Sequence, residues 1–369
     1  MPDSWTHTGY AQRIVFGAGS VGGLGKLVRE VGGRRVLLVT TNGRLSSDEG
    51  QRVVKALGRD LVSTFDGVRS HVPTTAVQMA AGQARRDGID CVVSFGGGSC
   101  ADLGKAVCFF HEQEQGAPGM SAFDRPLLPH VSVPTTYSGA ELTPFFGMTD
   151  EATRRKTGAG GPTIAPSAAL YDPELTLSVP QRVSAETGMN ALAHCVESAY
   201  SPTRTAEAEA VALAGVARIA AALPSVVDHP DDLDARTAML EGAVLGGRAL
   251  QNASMGVHHG LSQLLGGRTG MAHGLANALL LAHAIRFNEI AVPDELARIG
   301  AALGDRDDPA GAVDRLAERI GLPRSLSDCG VTTEDIDAVA RLAEGNGNVR
   351  NNPRPVGEAG ARSILEAAF

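Results

Sequence analysis

Short apolar runs rich in β-branched residues punctuate the first half of the chain, as in R-V-L-L-V-T-T at 35–41, C-V-V-S-F at 91–95 and H-V-S-V-P at 130–134. Each is too short for a core helix, and stretches of roughly 15 to 40 residues with helical periodicity separate them, which predicts βαβ units and a parallel sheet covered on both faces. Past about residue 180 the pattern changes: Ala, Leu and Glu dominate, and segments 204–223 and 233–252 hold a helical period. That predicts a mostly α second half. The turn of pattern falls in S-V-P-Q-R-V-S-A-E-T, where Pro180 stops one element and Ser184 is expected to cap the next helix, giving domains 1–180 and 181–369. The polar, Gly- and Pro-bearing stretch 111–124 is expected to be a surface loop of the first domain. No internal repeat is present.

Composition narrows the function classes. At 369 residues with 43% hydrophobic positions the chain can build two cores. The formal charge is -8 and basic residues are scattered singly, which argues against a nucleic-acid or polybasic membrane surface and favours small-molecule partners. Five cysteines, odd in number and without a C-x-x-C pair, fit reduced thiols. The N-terminus lacks a basic segment followed by an apolar one, and no uninterrupted apolar run is long enough to span a membrane, so a cytoplasmic location is expected.

Candidate chemistry gathers in the second half. Asn190 and His194 stand four apart in a helix-favouring segment and so share one face. His259 in G-V-H-H-G-L and His273 in M-A-H-G-L-A-N-A supply two more imidazoles, beside Gly256, Gly260 and Gly274, which permit close approach. Three imidazoles can bind a divalent metal, but a carboxylate normally completes such a set, and here an asparagine stands in its place. His7, His229, His258 and His283 are taken as structural or surface residues.

A second set lies in the first half. V-V-S-F-G-G-G-S runs a strand into Gly96, Gly97, Gly98 and Ser99 and then a helix start, where backbone N–H groups approach a pyrophosphate. Thr135, Thr136 and Ser138 follow another strand and offer hydroxyls, while Gly17 and Gly19 form only a weak relative of the glycine fingerprint. After the strand ending at Thr40, the position that reads a ribose is held by Thr41 and Asn42, followed by Gly43 and Arg44. No acid stands there, so NADPH is as admissible as NADH.

Taken together, G-G-G-S-x-x-D-x-x-K-A at 96–106, P-T-T-Y-S-G-A-E-L-T-P at 134–144, Lys156, T-G-M-N-A-L-A-H-C-V-E, G-V-H-H-G-L and M-A-H-G-L-A-N-A resemble the iron-containing alcohol dehydrogenase superfamily. Y-D-P-E-L-T-L, the doubled His258 and His259 and N-P-R-P-V at 352–356 resemble its maleylacetate reductase branch. The resemblance implies a Rossmann-like α/β nucleotide-binding domain followed by an all-α domain, the dehydroquinate synthase-like fold, and a homodimer. It implies that Ser99, Asp102, Glu141 and Lys156 join the glycines and hydroxyls in binding NADH or NADPH. Metal-using members place an Asp and three His on the active-site helices; here Asn190 takes the Asp position, while His194, His259 and His273 match the histidines. The resemblance therefore implies reduction of the conjugated alkene of 2-maleylacetate to 3-oxoadipate without a metal. On their own chemistry His259 or His273 is expected to donate the proton and Asn190 to orient substrate, and on chain position Arg248, Arg268 or Arg350 are candidates to meet its carboxylates. A dehydrogenase using Zn2+ on His194, His259 and His273, or a repurposed member, is the alternative. Gln263, where a histidine is common in both branches, is the main departure.

Overall fold

The apolar runs of the first half become the strands of one parallel sheet. A computed structural model describes Pro2 and residues 4–116, 125–152 and 155–369. One unit, Gly9–Ser178, contains in order β1 (Arg13–Phe16), α1 (Leu24–Glu30), β2 (Val36–Val39), α2 (Asn42–Leu45), α3 (Asp48–Leu57), β3 (Leu61–Phe65), α4 (Thr74–Arg86), β4 (Cys91–Gly96), α5 (Gly98–Glu114), β5 (His130–Pro134), β6 (Phe145–Asp150), β7 (Arg155–Gly160) and β8 (Ala168–Tyr171). Six of the strands form a parallel sheet in the order β1-β8-β5-β4-β2-β3, and β6 pairs antiparallel with β7 in a separate hairpin.

Strand β2 shows why the runs are apolar throughout rather than alternating. Val36 and Leu38 pack with Leu24, Val28 and Val53 on one face, while Leu37 and Val39 pack with Val77, Leu103 and Val107 on the other. A strand covered on both sides by helices buries every side chain, each large one contributing about 1.5–3 kcal/mol. Register then aligns the strand ends: Val39 of β2 lies opposite Ser94 of β4 and Phe65 of β3, so the residues following all three emerge together.

The stretch expected to be a loop from residue 111 begins as helix, since α5 runs through Glu114. Its tail, residues 117–124, lies outside the described residues.

The other unit comprises Val179–Phe369 together with the segment Met1–Thr8. His7 and Thr8 fasten that segment by hydrogen bonds from the His7 ring to Thr205 Oγ1 (3.0 Å) and from Thr8 N to Asn252 Oδ1 (2.7 Å). Its helices are α6 (Gln181–Tyr200), α7 (Ala206–Asp228), α8 (Leu233–Leu250), α9 (Val257–Thr269), α10 (His273–Asn288), α11 (Pro293–Leu303), α12 (Pro309–Arg319), α13 (Thr333–Leu342), α14 (Gly347–Arg350) and α15 (Glu358–Ala367). Helix α6 starts earlier than its sequence suggests. Pro180 occupies the N-cap, and Ser184, expected to cap, sits inside the helix, where its Oγ accepts from buried Arg236 at 2.7 Å.

Helix α7 is long and apolar enough to cross a membrane by length and composition. It nevertheless carries Glu207, Glu209 and Arg218, and Ala208, Ala212, Gly215, Val216 and Ile219 form a buried stripe at helical spacing. That stripe packs against α6 and α8, as in a core helix. Among the described residues all five cysteines are free.

Candidate active site

Two constellations carry chemistry, one in each unit. In the α/β unit β4 ends at Gly96, whose φ of 141° is a conformation that side chains disfavour, and Gly97 becomes the N-cap of α5. A β-carbon at Gly97 would lie 3.3 Å from Thr136, and one at Gly98 would lie 3.1 Å from Ser138, so the hydroxyl segment after β5 rests directly on the glycines. The N–H groups opening a helix of this length have no intrahelical acceptor and attract anions. Thr135 Oγ1 and Thr136 Oγ1 are buried without a hydrogen-bond partner. Each such group costs about 1–3 kcal/mol unless something fills it. Glycine N–H groups and uncommitted hydroxyls together fit the phosphates and amide of a nicotinamide dinucleotide.

Of the remaining expected cofactor residues, Glu141 and Asp102 are engaged within the protein. Glu141 is buried and accepts from Tyr171 Oη (2.9 Å) and Ser138 Oγ (3.2 Å), and burial pushes its carboxyl up. Asp102 pairs with Lys105 (2.9 Å) and accepts from Gly147 N (3.3 Å), tying α5 to the hairpin. Lys105, quoted within the sequence motif but given no role, is fully buried and also donates to Ala140 O and Thr143 Oγ1 at 2.8 and 3.0 Å. Lys156 lies exposed on β7, its stem over Gly147. Ser99 sits in the first turn of α5, Thr41 caps α2, and Asn42 opens that helix. Arg44, a candidate for a 2'-phosphate, donates instead to Ser178 Oγ at 2.8 Å.

In the helical unit α6, α9 and α10 bring His194, His259 and His273 together. The His194 and His259 rings stack at 4.7 Å between centroids, and His273 is tilted against His259 at 5.9 Å. Gly274 permits this, because a β-carbon there would lie 2.6 Å from the Glu186 carbonyl of α6. Asn190, His194 and His259 are buried, whereas His273, the first residue of α10, is half-buried. Burial, then the neighbouring His259, hold the His194 imidazolium well below its ordinary pKa, so this ring is neutral; its Nδ1 has no hydrogen-bond partner.

The carboxylate missing at position 190 is present two turns further along the same helix. Glu197, three residues after His194 and seven after Asn190, is fully buried, and its oxygens accept from the backbone N–H of Gly256, His258 and His259 at 3.0, 3.1 and 3.2 Å. It thereby caps α9, and a β-carbon on Gly256 would collide with it at 2.9 Å. Glu197 also meets His259 Nδ1 at 2.5 Å and His258 Nδ1 at 3.6 Å. Burial alone would raise its pKa, but the imidazoles of His258 and His259 beside it outweigh that and hold the carboxyl far below the usual range.

The network fixes the tautomers. His258 Nε2 lies 2.8 Å from the Asn277 carbonyl, which can only accept, so His258 carries its proton there and presents Nδ1 as acceptor. His259 Nδ1–H then points to Glu197, with His258 Nδ1 at 3.2 Å, and Nε2 is the ring atom turned away from the carboxylate. Asn277 also donates from Nδ2 to Asn190 Oδ1 at 2.5 Å. His258, treated from sequence as structural, is thus part of the cluster. Glu197 and Asn277 were missed altogether. The signal was there: 190, 194 and 197 share one face of α6, as 273 and 277 do on α10.

The three candidate arginines are committed elsewhere. Arg248 bonds Gln251 and Glu207, Arg268 pairs with Asp335 at 2.8 Å, and Arg350 donates to the carbonyls of Glu344 and Gly345. Arg268 is also nine residues along α9 from His259, about 13 Å. Gln263 accepts from Asn348 at 3.2 Å.

Glu197, His258 and His259 offer ligand atoms within 4.8 Å of one another, so this buried group could hold a metal ion. Those atoms are already hydrogen-bonded to each other and to the start of α9. The set expected to bind metal from the resemblance, at 190, 194, 259 and 273, contains no carboxylate, and its amide oxygen is engaged by Asn277.

The two constellations define a nicotinamide-dependent oxidoreductase, and the chain belongs to the iron-containing alcohol dehydrogenase family. Residues 11–173 match the family described as iron-containing alcohol dehydrogenase, and residues 184–369 match its C-terminal part, described as Fe-containing alcohol dehydrogenase family, C-terminal. The chain is 37% identical to a maleylacetate reductase of Rhizobium sp. (strain MTP-10005) over 99% of its own length and 97% of that protein. It is 38% identical to a maleylacetate reductase of Burkholderia cepacia over 97% and 95%, respectively. A crystal structure of maleylacetate reductase from Agrobacterium tumefaciens superposes with a TM-score of 0.88 at 34% identity, covering 100% of this chain and 98% of that one.

Proposed function

We propose that this chain reduces the carbon–carbon double bond of an alkene conjugated to a ketone, with 2-maleylacetate as substrate and 3-oxoadipate as product, and does so without a metal. The observation that carries the reading is the use of the cluster's one carboxylate: Glu197 orients His259 and caps α9 rather than completing a metal site at Asn190. An amide and three imidazoles give no negative charge to a divalent ion, so this donor set does not fit the metal that the family name implies.

A nicotinamide dinucleotide held at the turn of Gly96, Gly97 and Gly98 would supply a hydride to the carbon β to the ketone. The electron pair of the double bond shifts toward the carbonyl, and an enolate forms with its charge on the ketone oxygen. With its ring protonated on both nitrogens, His259 stabilises that oxygen by donating a hydrogen bond from Nε2, the task a Lewis acid performs elsewhere. The carbon next to the ketone then takes a proton, completing the addition of one hydride and one proton. His259 donates it, with Glu197 holding Nδ1 and stabilising the charged ring, and half-exposed His273 returns the proton from solvent. Neutral His194 stacks on His259 and fixes its plane. Asn190, held by Asn277, orients the substrate because an amide has no useful proton to give.

The test is oxidation of NADH and NADPH by freshly generated maleylacetate, beside simple aldehydes, with the reduced nicotinamide deuterated at C4. The reading expects turnover of maleylacetate and deuterium on the carbon β to the ketone. Turnover of aldehydes alone would overturn it. The buried Glu197, His258 and His259 group supports a second reading, a metal-dependent dehydrogenase; stoichiometric iron or zinc in protein purified without chelator would favour that one.

A further inference from the structure

Between Thr41 and Arg44 the sequence holds no acid, yet folding brings one there from another strand. Because β4, β2 and β3 end in line, the residues after β3 emerge beside those after β2, two strand spacings, or about 10 Å, from the glycines after β4. The backbone locks this arrangement: Thr40 N donates to Phe65 O at 2.9 Å, Val68 N to Thr40 O at 3.3 Å, and Thr41 and Gly67 form an isolated bridge. Asp66 stands between these contacts. Asn42 Nδ2 donates to its Oδ2 at 3.1 Å, which draws the carboxylate back toward the end of β2, and the side chain is only half-buried.

We propose that Asp66 reads the adenosine ribose of the dinucleotide and makes this protein select NADH over NADPH. The inference rests on the reading that the glycine turn binds a nicotinamide dinucleotide. A carboxylate at this place accepts from the ribose hydroxyls and repels a 2'-phosphate, with Asn42 fixing its orientation. Arg44, on the segment after β2, is turned to Ser178 and also lies beside Glu49, and Arg69, on the segment after β3, pairs with Glu151, so the repulsion is not offset.

Fluorescence titration of the whole protein with NADH and with NADPH tests this without any substrate. The wild type is expected to bind NADH at least about tenfold more tightly, the size of a charge-assisted hydrogen bond. Asp66→Asn and Asp66→Ser should each lose most of that ratio, with NADH weakened and NADPH not. A wild type that prefers NADPH, or a ratio unchanged within twofold in both variants, would overturn the assignment. The ratio is read by binding, so it stands if maleylacetate proves the wrong substrate; turnover of maleylacetate with an unmoved ratio sinks Asp66 and spares the reductase. Binding of neither dinucleotide would sink both.

Discussion

The glycine turn of the α/β unit and the histidine cluster of the helical unit satisfy their polar groups in opposite ways. At the turn, Thr135 and Thr136 keep buried hydroxyls without partners. In the cluster, one carboxylate accepts three backbone N–H groups and an imidazole, and one asparagine serves both His258 and Asn190. The turn is built around a ligand that comes and goes, so its interactions are completed by binding. The cluster is built to hold reacting groups still through the reaction, so the bonds that orient His259 and Asn190 are made beforehand, although His194 Nδ1 keeps no partner.

Substitutions should separate the two regions sharply. The largest effect is expected from Glu197→Ala, which uncaps α9 and strips His259 of its anchor: a loss of about 3–5 kcal/mol of stability, as when one partner leaves a buried charged pair, together with a fall in kcat of ~10^2-fold or more. Denaturant unfolding and initial rates check both, and a variant with wild-type stability would show that the network is incidental. Next comes His259→Ala, predicted to lower kcat by ~10^2-fold with far less effect on dinucleotide affinity. Unchanged turnover would remove His259 from the mechanism.

At the turn the same kind of deletion should have the reverse sign on stability. Thr136→Val removes an unpartnered hydroxyl and keeps the methyl that rests on Gly97, so Tm should hold or rise while KM for the dinucleotide increases about fivefold, the worth of one hydrogen bond. A drop in Tm would mean that the hydroxyl is satisfied within the protein.

The smallest effect is a pH slope. Burial, then the charge of Lys105, push His130 from 6.5 to about 3 while it bonds Ser94 at 2.7 Å. Since the unfolded chain binds the proton more readily, the stability this neutral ring contributes is complete above pH 6.5 and is lost as pH falls toward 3. His130→Gln should therefore flatten the decline of Tm between pH 7 and 5; an identical decline in the variant would assign it to other groups.

The same contrast explains what could be read from the chain. The fold and the glycine turn are contiguous in sequence, a strand run into G-G-G-S and another into P-T-T-Y-S-G, so local pattern was enough. The three histidines were found as members of helical segments. Their supports were not, because Glu197 serves α9 from α6 and Asn277 serves two helices from α10, relations that exist only once three helices have packed. Asp66 was invisible for the same reason: an acid was sought along β2, while register delivers one beside Asn42 from the end of β3. The arginines chosen by chain position each hold an acid or carbonyl partner, which chain position does not reveal.

The most direct test of the central claim is the rate of maleylacetate reduction by protein stripped with excess chelator, measured again after adding Fe2+ or Zn2+. The account predicts the same kcat before and after stripping, and no gain on adding either ion. Activity that vanishes with the chelator and returns with metal would contradict it, and would mean that Glu197, His258 and His259 open to bind the ion their spacing allows.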